Sequence, residues 1–237
     1  MWFESWFDTS YYHLLYGNRS DAEASLFMEN LVQQLQPPPQ SVMLDLACGK
    51  GRHSRFLAKK GYKVTGLDLS ANSIADASKN ELPGLRFNVH DMRDSFGVNE
   101  YNYIFNLFTS FGYFDNPNDD NMVLNNVYEA LLPHGYFIQD YFNCTRFEPV
   151  VTQVEKGGLA FNIKKYLKDG FIIKEITFED AGVKHNYTEK IKHYTLDKLL
   201  SLHIGCGLKP LKYFGNYQLE PFVESKSDRI IIISQKV

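Results

Sequence analysis

The sequence predicts an α/β protein: a doubly wound, mostly parallel sheet with an N-terminal helical cap and an inserted antiparallel β meander. Three observations predict it. Short apolar runs alternate with helix-period segments between residues 41 and 145, as in parallel strands joined by crossover helices. Between 150 and 194 that pattern gives way to β-rich runs separated by glycine turns. Residues 1–36 instead carry helical apolar stripes and stop at three prolines.

The first strand–turn–helix–strand unit carries the residues that bear most directly on function. The apolar run 42–46 predicts a buried strand, and Ala47-Cys48-Gly49-Lys50-Gly51 predicts a glycine turn. A helix is expected over 52–60, followed by a second strand, 64–69, with Asp68 near its end. The crossover helix makes the two strands parallel and buries both of their faces.

This unit suits a ligand that contains a nucleoside. Gly49 and Gly51 let the backbone turn sharply and let a ligand approach without meeting a Cβ. The N–H groups that begin the following helix are additional donors. About 20 residues further on, Asp68 can accept hydrogen bonds from the two vicinal hydroxyls of a ribose. We therefore expect the ligand at the carboxyl edge of the sheet.

Two residues separate the possible nucleoside ligands. A dinucleotide site requires a third glycine where this chain has Ser54. Asp45, just before the turn, would repel a pyrophosphate but could receive the ammonium of an amino acid, directly or through water. A ribose at one end and an amino-acid group at the other describe S-adenosylmethionine. The alternative is a glycine turn that binds no ligand.

The same segments resemble the class I S-adenosylmethionine-dependent methyltransferases, of the small-molecule type. The resemblance covers about residues 10 to 237 and is carried by motifs in matching order. They are Asp45-Leu46-Ala47-Cys48-Gly49-Lys50-Gly51, Gly66-Leu67-Asp68-Leu69-Ser70, Asn88-Val89-His90-Asp91-Met92-Arg93-Asp94, the run 106–114, and Leu131-Leu132-Pro133-His134-Gly135-Tyr136-Phe137. It implies a seven-stranded Rossmann-like sheet whose last two strands form an antiparallel hairpin.

The resemblance also assigns roles to residues outside the first unit. Asp91 and Met92 would meet the adenine, and Asn106 and Leu107 the methionine half of the cofactor. An N-terminal segment would cover the sulfonium. The implied cofactor-binding residues are Asp45, Ala47, Gly49, Gly51, Asp68, Leu69, Asp91, Met92, Asn106, Leu107, Tyr16 and Arg19. The alternative for the N-terminal tyrosines is that they pack the cap onto the domain.

The run that begins at the end of the predicted fourth strand, 101–107, limits the acceptor. Asn106-Leu107-Phe108-Thr109 lacks the two prolines of base-amine methyltransferases and the cysteine of cytosine-carbon methyltransferases. Small-molecule or peptide-like acceptors remain. We expect Phe111 and Tyr113, in the loop over the methyl group, to line the acceptor pocket together with Tyr11 from the N-terminal segment.

The rest of the chain completes the predicted architecture. A helix over 116–132 leads to a fifth strand, 136–141, and the meander turns at 157–158, 168–170 and 180–182. A helix capped by Thr195 and two final strands, 208–214 and 229–234, follow. The predicted domains are a cap at 1–40, a cofactor-binding domain at 41–145 and 195–237, and an inserted lid at 146–194.

Composition limits the partners. The 237 residues carry a net charge of −3, which does not favour a nucleic-acid substrate. The three cysteines are widely spaced and predict neither a disulfide nor a metal site. The absence of a disulfide pattern favours a reducing cytoplasm. We expect no targeting signal or membrane span, a cytoplasmic location, and a monomer or homodimer.

These inferences predict an enzyme that transfers a methyl group from S-adenosylmethionine to an oxygen or nitrogen atom of an unidentified small molecule. Since no acid–base pair stands out in the sequence, we assign no catalytic residue. The alternatives are a non-catalytic protein that binds S-adenosylmethionine or S-adenosylhomocysteine, and a nicotinamide-dependent oxidoreductase.

Overall fold

The computed structural model describes residues 2–17 and 21–237, which form two compact units. The larger unit combines residues 21–146 with 194–237, and the smaller combines 2–17 with 147–193. In chain order the elements are α1 (Trp2–Trp6), α2 (Ser10–Tyr16), α3 (Asp21–Leu35), β1 (Val42–Leu46), α4 (Arg52–Lys59), β2 (Lys63–Asp68), α5 (Ala71–Ser78), β3 (Leu85–Val89), β4 (Tyr101–Asn106), α6 (Pro117–Ala130), β5 (Leu131–Phe142), β6 (Val150–Lys156), β7 (Leu159–Lys168), β8 (Phe171–Asp180), β9 (Val183–Lys192), α7 (Leu196–Gly205), β10 (Leu208–Phe214) and β11 (Arg229–Lys236).

A seven-stranded sheet in the order β10-β11-β5-β4-β1-β2-β3 forms the centre of the larger unit. Strands β1 to β5 are parallel, whereas β11 runs antiparallel to both β5 and β10. This confirms the predicted doubly wound sheet and its final antiparallel hairpin. Chain order reverses between β1 and β4, and ligands of such sheets bind outside the carboxyl ends of the strands at that switch point.

The core of the larger unit explains why these runs form strands and helices. Strand β4 is buried over five of its six residues, as a central parallel strand covered on both faces must be. Helices α3, α4 and α5 bury their apolar stripes against the sheet. Buried residues of this core include Phe27, Leu31, Met43, Leu57, Val64, Ile74, Phe105 and Ile231.

One boundary of the larger unit differs from the predicted one. The sequence places a helix as far as residue 132 and a strand from 136, but β5 already begins at Leu131. Leu131 pairs with Tyr101, and the register then shifts before Tyr136 pairs with Tyr103. The irregularity takes up the intervening residues, so Pro133-His134-Gly135 interrupts a strand where the sequence predicts a stop between two elements.

The smaller unit is built on a four-stranded antiparallel sheet in the order β6-β7-β8-β9. The predicted meander is therefore confirmed, and its turns hold Gly157-Gly158, Asp169-Gly170 and Ala181-Gly182 at positive φ. Helices α1 and α2 belong to this unit, with Trp6 and Leu15 packing against Phe161, Ile163, Ile176 and Phe178. Helix α3 belongs to the larger unit. Within the described residues, each helix falls short of the length and apolar character needed to cross a membrane.

Candidate functional site

The turn between β1 and α4 is shaped by residues with positive φ. Ala47, Gly49 and Gly51 have φ of 63°, 54° and 74°. A Cβ on Gly51 would stand 2.4 Å from the Phe87 ring, so a larger residue is excluded there. At Gly49, by contrast, no described atom lies within 4 Å of the Cβ position. The turn is therefore packed tightly on its inner side and open at Gly49.

Asp68 fixes this turn from the end of β2. One carboxylate oxygen accepts the Gly49 N–H at 2.7 Å and the other accepts the Ser70 N–H at 2.8 Å. Leu69, which lies between Asp68 and Ser70 in sequence, is half-buried. The half-buried Asp68 carboxylate is thus held at the tip of the strand, where an acceptor for ribose hydroxyls is expected.

Asp45 is buried beneath the turn, with 1% of its surface exposed. The Ser54 hydroxyl donates to its Oδ2 at 2.5 Å. Burial raises the pKa of Asp45 to about 6, and the hydrogen bond from Ser54 opposes this rise. A nearby cation would favour the charged form of Asp45. Ser54, which replaces the third glycine of a dinucleotide motif, therefore has a structural role of its own.

Asn106 ends β4 beside β1. It is 1% exposed, and its amide nitrogen donates to the carbonyls of Leu46 and Ser110 at 3.2 and 3.0 Å. Its Oδ1 has no hydrogen-bond partner among the residues that the structure describes. A buried acceptor of this kind requires a donor. Leu107, the next residue, is also buried.

Asp91, the carboxylate predicted for the adenine, is engaged by a neighbouring arginine. Arg93 donates to it through its backbone N–H at 2.9 Å and through its guanidinium at 2.6 Å, which lowers the pKa of Asp91. Arg93 also approaches Asp119, at 3.5 Å. Met92 is half-buried. The pair lies just beyond β3 as predicted, but its contact with adenine stays a prediction.

The predicted acceptor residues lie in two places. Phe111 is 1% exposed, and the Tyr113 hydroxyl donates to the Thr109 carbonyl at 2.6 Å, within the same loop. Tyr11 belongs to the smaller unit, and its hydroxyl donates to Asp180 at 2.7 Å. The assignment of these residues to an acceptor pocket stays a prediction.

The N-terminal residues predicted for the cofactor are Tyr16 and Arg19. Tyr16 lies in the smaller unit and its hydroxyl donates to Glu189 at 2.6 Å. Arg19 lies outside the described residues. Their part in cofactor binding stays a prediction, as does the alternative that the tyrosines pack the N-terminal helices.

Several residues beside the turn were missed by sequence reasoning. His53 is 6% exposed and stacks on Phe108, with 5.1 Å between ring centroids and 17° between planes. Burial lowers the pKa of His53 to about 3, so its ring is neutral. The Arg52 guanidinium lies 4.4 Å from the centroid of the same Phe108 ring. Their position in the sequence could have indicated them, because Arg52 and His53 directly follow Gly51.

Comparisons with known proteins support this fold and a methyltransferase domain within it. The family described as "Methyltransferase domain" matches residues 43–135. The chain is 33% identical over 106 residues to the putative methyltransferase YqeM of Bacillus subtilis, covering 44% of this chain and 43% of that protein. It is 27% identical to a glycine/sarcosine N-methyltransferase of Parasynechococcus marenigrum, covering 84% of this chain and 73% of that protein.

A third relative is the dTDP-3-amino-3,4,6-trideoxy-alpha-D-glucopyranose N,N-dimethyltransferase of Streptomyces venezuelae, 31% identical over 54% of each chain. The chain thus spans about half the length of two of these three relatives.

Solved structures show the same fold. An S-adenosylmethionine-dependent methyltransferase from Clostridium acetobutylicum superposes with a TM-score of 0.79 and 19% identity, covering 95% of each chain. CalS10, an amino pentose methyltransferase from Micromonospora echinaspora solved with S-adenosylmethionine bound, superposes with a TM-score of 0.72 and 19% identity, covering 97% of this chain and 98% of that one.

Proposed function

Since residues 43–135 are a methyltransferase domain within the fold of the class I S-adenosylmethionine-dependent methyltransferases, we propose that this protein methylates the amino nitrogen of a small molecule. The family, the enzyme class and the cofactor are those that the sequence predicts, and the comparisons confirm them. The proposed acceptor atom is nitrogen, whereas the sequence alone leaves oxygen and nitrogen open.

One observation supports the cofactor site: three neighbouring parallel strands, β2, β1 and β4, end at residues that suit the parts of this ligand. The Asp68 carboxylate is anchored for ribose hydroxyls at the end of β2. Asn106 ends β4, which lies beside β1. Its Oδ1 has no donor among the described residues and could accept a hydrogen bond from the ammonium of the ligand. At Gly49 no described atom lies within 4 Å of the position of a Cβ, which leaves space for a ligand beside the turn. These residues fit S-adenosylmethionine.

The remaining chemistry is positioning. When bound, S-adenosylmethionine supplies a methyl group on a positively charged sulfur that is already a good leaving group. The chain must then hold the acceptor nitrogen in line and exclude water, and such positioning can supply much of the acceleration. An amine must reach the site with its lone pair free, and we assign no side chain to the removal of its proton.

The activities for which the relatives are named favour nitrogen. A glycine/sarcosine N-methyltransferase and an amino-sugar N,N-dimethyltransferase are among the matched proteins, and an amino pentose methyltransferase is among the superposed structures. The first two names specify transfer to nitrogen, and the third names a pentose that carries an amino group. The net charge of −3 agrees with a small acceptor better than with a nucleic acid.

Paired acceptors test this proposal. The protein is incubated with S-adenosylmethionine carrying a trideuterated methyl group, and products are followed by mass spectrometry. We expect glycine, sarcosine or a 3-amino sugar nucleotide to gain the label, and glycolate or the matching 3-hydroxy sugar nucleotide to remain unlabelled. Asp68→Ala is the negative control. Labelling of the hydroxyl compounds instead would refute the choice of nitrogen.

The predicted alternatives would give different results in labelling and in ligand binding. A non-catalytic binding protein would retain the cofactor and label none of a wide range of acceptors. A nicotinamide-dependent oxidoreductase would bind NAD in preference to S-adenosylhomocysteine, which Asp45 and Ser54 argue against.

A further inference from the structure

The loop that leaves β4 contains two consecutive non-glycine residues in the left-handed region. Phe108 and Thr109 have φ of 57° and 63°. Such a pair is rare, because a side chain at positive φ crowds the backbone, and it persists only where surrounding contacts fix it. Asp140 of β5 supplies two of these contacts. Its Oδ2 accepts the Phe108 N–H at 2.8 Å, and its backbone carbonyl accepts the Thr109 N–H at 2.9 Å.

Arg229 of β11 locks the same turn. Its Nε donates to Asp140 Oδ1 at 2.7 Å, and its Nη2 donates to Thr109 Oγ1 at 2.9 Å. Asp140 is fully buried, so this ion pair is shielded from water. The planar guanidinium holds both partners at once, which a lysine ammonium on a flexible stem would not reproduce.

The turn determines where the Phe108 ring lies. The ring stacks on His53 and sits under the Arg52 guanidinium, at the first two residues of α4. Helix α4 starts directly after Gly51, so this one ring connects the loop after β4 to the glycine turn. A chain of contacts therefore runs from Arg229 through Thr109 and Phe108 to the cofactor cleft.

We propose that Arg229 is a positioning residue of the cofactor site: together with Asp140 it holds Phe108 and Thr109 in their left-handed conformations, and thereby holds the start of α4 against the glycine turn. The proposal rests on the proposed function, since it takes the cleft at Gly49 and Asp68 as the cofactor site. The competing explanation is that the Arg229–Asp140 pair only fastens the last hairpin to the sheet.

Two conservative variants separate these explanations. Arg229→Lys keeps a cation for the buried carboxylate but loses the fork that reaches Thr109. Thr109→Val removes only the hydroxyl acceptor and keeps a β-branched side chain. Arg146→Lys is the matched control, because Arg146 is an exposed arginine of the same unit and pairs with Asp228. Hydrogen–deuterium exchange and calorimetric titration with S-adenosylhomocysteine are measured for each.

We expect the amides of Phe108 and Thr109 to exchange about tenfold faster in both variants, as the loss of one charge-assisted hydrogen bond implies. The affinity for S-adenosylhomocysteine should fall by a similar factor. Amides of β1 and the Arg146→Lys control should keep wild-type behaviour. A purely structural role would instead loosen β11 and leave the affinity unchanged.

Three results would overturn the proposal. Unchanged exchange at Phe108 and Thr109 would show that Arg229 does not hold the turn. Faster exchange with unchanged affinity would show that the turn does not support the cleft. If the wild type fails to bind S-adenosylhomocysteine, the cofactor assignment itself falls and the coupling falls with it. The wild-type titration identifies this case, and the exchange data still report whether Arg229 holds the turn, because they need no ligand.

Discussion

Gly49 and Gly61 share two properties that make them a matched pair. Both have positive φ, and at both no described atom lies within 4 Å of the position that a Cβ would take. Alanine should therefore cost each site about 1–2 kcal/mol of unfolding free energy through backbone strain alone. The two sites differ in that Gly49 opens onto the proposed cofactor cleft.

We predict that Gly49→Ala weakens S-adenosylhomocysteine binding at least tenfold, about 1.4 kcal/mol, whereas Gly61→Ala leaves it unchanged. Calorimetric titration gives the affinities, and urea unfolding checks that both variants lose similar stability. Equal affinities in the two variants would place the ligand away from the turn.

Asp45 gives the site a pH dependence with a definite sign. Burial raises its pKa to about 6, so the folded protein without ligand takes up a proton there as the pH falls through 6. A ligand ammonium favours the charged carboxylate and pulls this pKa down, so binding releases the proton. Affinity should therefore be highest above pH 6 and fall at lower pH.

We predict that S-adenosylhomocysteine binds the wild type about tenfold more weakly at pH 5 than at pH 7, the change expected one pH unit below a pKa near 6. Asp45→Asn should bind weakly at both values, with a flat profile. Calorimetry at the two pH values measures this. An equally steep profile in Asp45→Asn would mean that another group titrates.

Single residues also show how far the sequence could be read. One strand–helix–strand unit contains Asp45, Gly49, Gly51 and Asp68. Their proximity in the folded protein could therefore be predicted from the sequence. Arg229 reaches Asp140 across 89 positions, and only the pairing of β11 with β5 brings them together. Tertiary contacts of this kind leave no periodic pattern in the chain.

Trp6 is the main aromatic anchor of the N-terminal helices in the smaller unit. It is 1% exposed, its Nε1 donates to Glu189 at 2.8 Å, and its ring centroid lies 4.4 Å from that of Tyr187. Truncating a buried tryptophan to alanine costs about 3–5 kcal/mol. The loss should fall mainly on the unit that contains it.

We predict that Trp6→Ala accelerates amide exchange in β8 and β9, while β1 and β4 of the larger unit keep their protection. Tyr213→Ala is the control, since Tyr213 is 47% exposed and lies in the larger unit. Unchanged exchange in β8 and β9 would show that α1 does not stabilise this sheet.

His203 joins three elements of the larger unit. From α7, its ring nitrogens bond Ser234 of β11 at 2.8 Å and Gln139 of β5 at 2.9 Å. Burial lowers the pKa of His203 to about 3, below the unfolded value of 6.5. The unfolded chain therefore binds more protons between these values, and the stabilising contribution of neutral His203 is lost as pH falls below 6.5.

We predict that the wild type loses up to about 1.4 kcal/mol of stability per pH unit relative to His203→Gln between pH 6 and pH 4. Chemical unfolding at several pH values measures the difference, which is independent of other groups that titrate in both proteins. Parallel curves would show that His203 titrates at its ordinary pKa in the folded state.

At the level of elements, turn chemistry decided what the sequence could predict. The glycine turns at 157–158, 169–170 and 181–182 located the meander strands, and the caps Ser70 and Thr195 located two helix starts, each side chain accepting a backbone N–H. The start of β5 was misplaced, because Pro133-His134-Gly135 is a typical helix stop and the register shift that absorbs it depends on β4.

Over the whole molecule, the strand–helix order predicted the central sheet, because right-handed crossovers between short parallel strands allow few alternatives. The division into units was less accessible. All three N-terminal helices precede the first strand in sequence, yet α1 and α2 belong to the smaller unit and α3 to the larger. Order along the chain gives no basis for that separation, since the strands of the smaller unit begin only at Val150.

The most direct test of the central claim is a calorimetric titration of the protein with S-adenosylhomocysteine and, separately, with NAD, in the wild type and in Asp68→Ala. We predict that S-adenosylhomocysteine binds the wild type with one site per chain and that NAD does not. Asp68→Ala should weaken binding about 100-fold, because two hydrogen bonds to a charged group are lost. Binding of NAD in place of S-adenosylhomocysteine, or unchanged affinity in Asp68→Ala, would contradict the account.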